Sequence, residues 1–139
     1  MPITFQTTRR VEFADTDAAG IMHFAAFFIM MEQAEHELLR ELGLSVVMQD
    51  SQGTISWPRV SSSCDFQGPA RFEDVLNIEV QLVRLGKKSV TYGFTFTNGQ
   101  QQIATGRMTS VCCRVSSDLP PLPIPIPEAI VEKLSPAAQ

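Results

Sequence analysis

Phe24 to Leu42, with the sequence FAAFFIMMEQAEHELLREL, is the stretch that decides the fold. Residues 24–31 are all apolar, and after them apolar residues recur at helical spacing. The pattern predicts one long helix, with Gly43 as the left-handed residue that ends it. Because the first half is apolar all round, we expect other elements to bury it on every side. The second half is amphipathic, and its polar face is predicted to hold Glu32, Glu35, Glu37 and Glu41.

Strand-like runs lie on both sides of this helix. One precedes it at residues 3–14, and four follow at 54–66, 75–85, 89–97 and 102–115. Gly68-Pro69, Gly86 and Asn98-Gly99 separate the later runs, and Asn-Gly is a strong two-residue hairpin signal. Successive hairpins predict an antiparallel sheet that curls around the helix, and therefore an α+β fold.

The tail is rich in proline. Residues 119–127, LPPLPIPIP, cannot form a central strand because proline donates no ladder hydrogen bond. We expect an extended segment lying on its own domain, followed by a short helix from Pro127-Glu128 to about Leu134. A polyproline ligand for an SH3-like partner is the alternative. The 139 residues are thus predicted to form one domain, with 119–139 as a tail packed on it.

Composition excludes several functions. With 11 Lys+Arg against 15 Asp+Glu, the chain is unlike a basic nucleic-acid binder, and 44% hydrophobic residues suffice for a core. No apolar run is long enough to span a membrane, and the N-terminus lacks a secretory pattern, so we expect a cytoplasmic protein. The three cysteines, two of them adjacent, do not make a disulfide framework or a CxxC metal motif.

Asp15-Thr16-Asp17 places two carboxylates on a loop before the apolar helix. They could bind a metal, although further oxygen ligands are not evident, or cap a polar turn. One could instead be a catalytic base or nucleophile beside the helix. No Ser, Thr, Asp or Asn stands at the usual capping position near Phe24, which leaves the first helical amides for a substrate carbonyl.

The two histidines are weaker candidates. His23 lies at the junction of loop and helix, where it could orient a substrate, assist proton transfer or have only a structural role. His36 lies among glutamates, and we expect it to be solvated or paired.

Residues 11–24, VEFADTDAAGIMHF, together with Glu32, Gly43 and the stretch PARFEDVL at 69–76, resemble a known signature. It is that of hotdog proteins of the 4-hydroxybenzoyl-CoA thioesterase family, and also of the acyl-CoA thioesterase branch associated with the Tol-Pal system. The resemblance implies a long helix wrapped by a curved antiparallel sheet. It also implies hydrolysis of an acyl-CoA to an acid and free CoA. Members are dimers, and often dimers of dimers, with active sites between subunits; an acyl carrier protein could also deliver the substrate.

The resemblance also implies roles for individual residues. Asp17 matches the catalytic carboxylate, acting as nucleophile or general base, and the amide of Phe24 would polarise the thioester carbonyl. Gly20 would let the loop approach the substrate, and His23 lies in the same motif. Asp15 would brace the loop.

Coenzyme A carries phosphates, so a basic site is needed. Lys87, Lys88 and Ser89 match a turn that is often basic in the family, and Arg84 adds a positive charge nearby. An ordinary solvated turn is the alternative. Arg59 and Ser61 lie on a strand that matches one near the family's site.

Two positions depart from the family pattern. Relatives commonly carry His or Tyr at position 24 and Tyr at position 27, whereas this chain has Phe24 and Phe27. The change predicts an apolar acyl pocket, completed by Phe28 and Met31, for aromatic or medium-chain groups, with plain core packing of these residues as the alternative. No metal or redox cofactor is expected, and coenzyme A enters only with the substrate.

Three other functions stay open. A hotdog dehydratase would need His23 as its catalytic histidine. A non-hydrolytic module would bind acyl-CoA or an acyl carrier protein without turnover. A scaffold would bind a partner through its proline-rich tail.

Overall fold

The predicted central helix is present. A computed structural model describes residues 4–137, in which helix α1 spans Phe24–Glu41. Gly43 follows with φ of 76°, the left-handed conformation expected of the residue that ends the helix.

A five-stranded antiparallel sheet packs against α1, in the order β1-β5-β6-β7-β4. Its strands are β1 (Phe5–Arg10), β4 (Arg59–Phe66), β5 (Val75–Leu85), β6 (Ser89–Asn98) and β7 (Gln101–Val111). On β5 and β6 alternate residues are buried, which gives the sheet one face toward the helix. The α+β class is therefore confirmed.

A smaller antiparallel sheet joins the loop after the helix to the tail, in the order β2-β3-β8-β9. Its strands are β2 (Met48–Asp50), β3 (Gly53–Ser56), β8 (Cys113–Val115) and β9 (Leu122–Pro123). The final helix, α2, spans Glu128–Leu134 and begins after Pro127, as predicted.

The register of the large sheet defines two ends. At one end Arg59 pairs with Ser110, which pairs with Val90 on β6. At the other end Phe66 pairs with Ala104, which pairs with Phe96. At ~3.3 Å per residue, roughly 23 Å of β4 separates these two ends.

The first half of α1 is not buried on every side, so that prediction was wrong. Phe24 is 60% exposed and Ile29 57% exposed, whereas Phe27 and Met31 are buried. The sheet of one chain covers only one face of the helix. Glu35, predicted on the polar face, is also buried, at 1% exposure, because that part of the helix faces β4 and β7.

Three predicted strands are shorter than expected. The first ends at Arg10 and a 3₁₀ turn follows at Phe13–Asp15, while Ile3 lies outside the described residues. The run 54–66 breaks at Trp57-Pro58, and the run 102–115 breaks at Cys112, whose amide bonds the Lys88 carbonyl outside the ladder. The hairpin at Asn98-Gly99 is present with its loop one residue later, since Asn98 pairs with Gln101.

Along residues 4–137, neither helix combines the length and the apolar character that crossing a bilayer requires. All three cysteines are unpaired thiols, Cys112 and Cys113 buried and Cys64 partly buried.

Candidate active site

The loop before α1 is a tight turn organised by its own aspartates. Asp17 Oδ1 accepts a hydrogen bond from the Ala19 amide at 2.9 Å, and the Asp17 carbonyl accepts from the Gly20 amide at 2.9 Å. Gly20 has φ of 78°, so the turn itself requires glycine there. A Cβ at Gly20 would meet nothing within 4 Å, so close packing in this chain does not explain the glycine.

Asp15 braces the same loop from its other side. Its Oδ2 accepts from the Glu12 amide at 2.9 Å, and its carbonyl accepts from the His23 amide at 2.7 Å. The two carboxylates thus serve different backbone amides. Asp17 is the exposed one, and its Oδ2 has no partner among residues 4–137.

The start of α1 is capped, which corrects the expectation of free amides. His23 is the N-cap residue, and its Nδ1 accepts from the Ala25 amide at 3.1 Å. The imidazole takes the role of the usual short polar side chain. The Phe24 amide remains: within residues 4–137 no acceptor is bonded to it, so it is available to a carbonyl oxygen.

A cavity of about 240 Å³ lies where this loop meets the helix start. Its walls come from the loop, from the first turn of α1 and from the segment after β4. The lining residues are Asp17, Ile21, Met22, Phe24, Phe27, Phe66, Gly68, Pro69 and Ala70. The Met22 amide bonds the Ala70 carbonyl at 2.7 Å, which ties the loop to the opposite wall.

Aromatic rings form the apolar wall. Phe27 is 3% exposed and packs edge-on against Phe66, with ring centroids 5.1 Å apart, and against Phe96 at 5.2 Å. Phe24 is exposed at the rim, with its ring 4.6 Å from that of His23. Two residues predicted for the pocket do not line it: Met31 is fully buried in the core, and Phe28 packs against that core.

Asp17, Phe24 and Phe27 therefore share one cavity, with Gly20 and His23 on the adjoining loop. The other predicted site residues lie at the far end of the sheet. Lys87 and Lys88 lie in the turn between β5 and β6, and Ser89 is the first residue of β6, while Arg59 and Ser61 lie at the start of β4. A single chain does not bring these two groups together.

The partly buried side chain of Arg59 is held by other side chains of the same subunit. Its guanidinium pairs with the Glu35 carboxylate, donates to Ser110 Oγ at 2.8 Å and lies 3.8 Å from Glu32. Burial raises the pKa of Glu35 to about 7, partly offset by the positive charge of Arg59, while Glu32 raises it further. His36, expected to be solvated or paired, is half-buried with Nε2 3.9 Å from Glu35, and burial lowers its pKa.

Sequence reasoning missed Phe66 and the Gly68-Pro69-Ala70 wall as site residues. Phe66 carried a usable signal, since it is a large apolar residue at the end of a polar strand, next to a Gly-Pro turn.

The arrangement defines a class of enzyme. A free backbone amide at a helix start and a carboxylate on one apolar cavity suit attack on a thioester carbonyl. Residues 11–134 match the thioesterase-like superfamily, and the chain belongs to that superfamily. This confirms the hotdog fold and the prediction of a thioester hydrolase. The finer placement in the 4-hydroxybenzoyl-CoA or Tol-Pal branch stays a prediction.

Several relatives are named as hydrolases of an aromatic CoA ester. A 1,4-dihydroxy-2-naphthoyl-CoA hydrolase of Synechococcus elongatus is 28% identical over 109 residues, covering 78% of this chain and 80% of its own. A hydrolase of the same name from a strain of Prochlorococcus marinus is 35% identical over 103 residues, covering 69% of this chain and 66% of its own.

Solved structures agree on the fold. A gentisyl-coenzyme A thioesterase superimposes with a TM-score of 0.80 at 29% identity, covering 93% of this chain and 98% of its own. The 1,4-dihydroxy-2-naphthoyl-CoA thioesterase of Synechocystis gives 0.81 at 24% identity, covering 95% and 96%.

Proposed function

We propose that this protein hydrolyses an aromatic acyl-CoA to the aromatic acid and free coenzyme A. The observation that carries the proposal is the shared cavity of Asp17 and the unpartnered Phe24 amide. A thioester carbonyl that enters this cavity meets a hydrogen-bond donor for its oxygen and a carboxylate for its carbon.

In the proposed reaction the Phe24 amide donates to the carbonyl oxygen, whose negative charge grows during attack, and the dipole of α1 adds to this stabilisation. Asp17 either attacks the carbonyl carbon through Oδ2 or takes a proton from the water that attacks it. The C–S bond then breaks and coenzyme A leaves as the thiolate, which is protonated. Direct attack leaves an anhydride on Asp17, which water cleaves in a second step. Water is the only co-reactant in either route, so the proposal invokes no metal and no redox cofactor.

The cavity supports an aromatic acyl group. Phe27 and Phe66 present ring edges and faces, against which a planar acyl ring packs favourably. Its volume of about 240 Å³ compares with the ~150 Å³ that holds one benzene ring in an apolar cavity. One or two fused rings therefore fit, in keeping with the naphthoyl and gentisyl esters of the relatives.

We further propose that the working unit is a homodimer joined through β4. Both β1 and β4 are edges of the large sheet, but β1 carries Arg9 and Arg10, and charged side chains protect an edge from pairing. On β4 the charge of Arg59 is paired with Glu35, which leaves Asp65 as the strand's one other charged residue, and the strand exposes Val60 (62%) and Phe66 (50%). Antiparallel pairing of β4 with a second copy would continue the sheet, and two such dimers could associate into a tetramer.

Dimer formation would reunite the separated site residues. In a symmetric antiparallel pair, the Arg59 end of one β4 lies beside the Phe66 end of the other. The Lys87-Lys88-Ser89 turn lies at the Arg59 end, so the turn of the partner subunit would lie on the side of this cavity. Its two lysines could then bind the phosphates of coenzyme A.

The three unpaired cysteines suit the reducing cytoplasm, where we expect the enzyme to act.

Thiol release from a panel of CoA esters tests this function. The panel contains 1,4-dihydroxy-2-naphthoyl, gentisyl, benzoyl, short-chain, medium-chain and long-chain esters. We expect kcat/KM to be highest for an aromatic ester. Preference for a long-chain ester would contradict the aromatic assignment. Tight binding without thiol release would indicate a non-hydrolytic module, and cleavage only from an acyl carrier protein would change the substrate class.

A further inference from the structure

The proline-rich tail is bonded to the lysine turn. Strand β9 and the extended residues after it, up to the start of α2, form one segment, here called the strap, residues 122–127. Ile126 within it is 7% exposed, and α2 behind it is anchored by Ile130 and Leu134, both buried. The strap is therefore held at both ends, by β8 and by the core.

Prolines at 123, 125 and 127 leave only two backbone donors in residues 123–127, the amides of Ile124 and Ile126. Both are used. Ile124 donates to the Cys112 carbonyl at 2.9 Å, and Ile126 donates to the Lys87 carbonyl at 2.9 Å. Because proline fixes φ, this segment loses little conformational entropy when it is held extended.

The next lysine is held as well. The Lys88 carbonyl accepts from the Cys112 amide at 2.7 Å, and the Gly86 amide donates to the Ser89 carbonyl at 2.8 Å, which closes the turn. Each lysine backbone is thus fixed by a segment outside its own hairpin. In contrast, across residues 4–137 neither lysine ammonium group has a protein partner, and both side chains are exposed.

We propose that the strap is a positioning element for the phosphate-binding lysines, acting through the Ile126 amide on Lys87. This rests on the proposed function, in which Lys87 and Lys88 bind the phosphates of coenzyme A. A turn that is already ordered loses less entropy on binding than a mobile one, so the strap strengthens the binding of coenzyme A. The strap should therefore affect the binding of the phosphate-bearing part of the substrate and should not affect the rate at which the thioester bond is cleaved.

The test compares two variants that both lose the Ile126 side chain. Ile126→Ala keeps the backbone donor, and Ile126→Pro removes it. Each is assayed with an acyl-CoA and with the same acyl group on N-acetylcysteamine, a thioester without phosphates. We expect KM for the acyl-CoA to be about tenfold higher in Ile126→Pro than in Ile126→Ala, a change of ~1.4 kcal/mol. Both kcat and the KM for the truncated thioester should be equal in the two variants.

A second variant guards against misfolding. Pro125→Gly leaves both donors in place and only loosens the strap, so it should raise KM for the acyl-CoA by a smaller factor and leave the truncated thioester unaffected. In a Lys87→Gln, Lys88→Gln background, Ile126→Pro should add little further loss, since coupled residues are not additive.

The outcomes separate this proposal from the proposed function. Equal KM values in Ile126→Pro and Ile126→Ala, or an equal rise for both thioesters, would overturn the strap proposal and leave hydrolysis intact. If no thioester is cleaved, the dissociation constant of coenzyme A itself, measured by calorimetry, replaces KM. A tenfold difference there would support the strap while refuting hydrolysis, and absence of coenzyme A binding in the wild type would refute both.

Discussion

The Arg59 guanidinium binds Glu35, which is 1% exposed, and the same group donates to Ser110, which is fully buried. In residues 4–137 these are the two polar side chains buried in the core, and one arginine at the start of β4 holds both. The pair ties the middle of α1 to the edge strand on which the proposed dimer depends.

The raised pKa of Glu35 should make the stability of the protein depend on pH. Its pKa of about 7 lies above the ordinary value of 4.5, so its contribution to stability is complete below pH 4.5 and is lost as pH rises through 7. Urea unfolding between pH 4.5 and 8 measures this effect. In the wild type the Glu35 contribution to the free energy of unfolding should fall by at most about 1.4 kcal/mol per pH unit, and in Glu35→Gln this fall should be absent. Subtracting the variant from the wild type isolates Glu35 from His36. Glu41→Gln, an exposed position on the same helix, should keep the wild-type slope; an unchanged slope in Glu35→Gln would contradict the assignment.

Removing only one member of the Glu35–Arg59 pair should destabilise the protein more than replacing both members with apolar residues. At pH 8, Arg59→Met leaves an unpaired buried carboxylate and should lower the free energy of unfolding by about 3–5 kcal/mol. The double variant Glu35→Leu, Arg59→Met should be considerably more stable than Arg59→Met alone. Urea unfolding of all four forms measures the coupling. Additive effects would mean that Glu35 and Arg59 do not interact in solution.

Two substitutions of His23 distinguish a role in capping α1 from a role in catalysis. His23→Ala should destabilise the protein by about 0.5–2 kcal/mol through loss of the bond from the Ala25 amide, and His23→Asn should restore most of it. If the imidazole only caps the helix, Asn restores kcat as well, and this is the outcome we expect. Restored stability without restored kcat would assign the ring a role in proton transfer.

Phe66 should govern the choice of acyl group. Phe66→Ala opens one wall of the cavity. Because Phe66 also lies on the proposed dimer edge, the readout is the ratio of kcat/KM between two esters, which weaker dimer formation alone would not change. We expect kcat/KM for aromatic esters to fall about tenfold or more relative to medium-chain esters, the scale expected for altered apolar contacts. The control is Phe72→Ala, a comparably exposed phenylalanine that packs on Phe13 outside the cavity. An equal change in both variants would argue against the assigned pocket.

Charged substitutions on the two edge strands of the large sheet test which of them forms the dimer interface. Ser63→Glu, near the middle of β4, would place like charges close together in a β4 dimer. It should shift the protein toward monomers in sedimentation and lower activity in parallel. Thr8→Glu, on the opposite edge β1, should change neither. Dissociation by the β1 variant alone would assign the interface to the other edge.

Much of the fold could be predicted because local patterns and tertiary packing agree. The run 75–85 coincides with β5, whose alternation matches its buried face, and Gly43 ends the helix where its missing side chain allows positive φ. The break at Trp57-Pro58 carried a signal in the sequence, because proline donates no ladder hydrogen bond. The break at Cys112 carried none, because it reflects a hydrogen bond to the distant Lys88 carbonyl and not a change in residue type.

The site was predictable only in part. The motif singled out Asp17 and Phe24, and the two residues line one cavity; their catalytic role stays a prediction. Glu35 was assigned to solvent because helical spacing cannot show that a strand begins with an arginine beside it. His23 was missed as a cap because imidazole rarely has that role, and Lys87 is separated from Asp17 by most of the length of the sheet.

In the proposed reaction Asp17 and the Phe24 amide together cleave an aromatic thioester. The most direct measurement is the turnover of the best aromatic ester by the wild type and by Asp17→Asn, which keeps the shape of the side chain but removes its charge. We predict a fall in kcat of about a hundredfold or more, with an unchanged unfolding midpoint. Single turnover in labelled water would then distinguish the two routes, since only direct attack leaves label on Asp17. Undiminished turnover by Asp17→Asn would exclude this carboxylate as the nucleophile or general base.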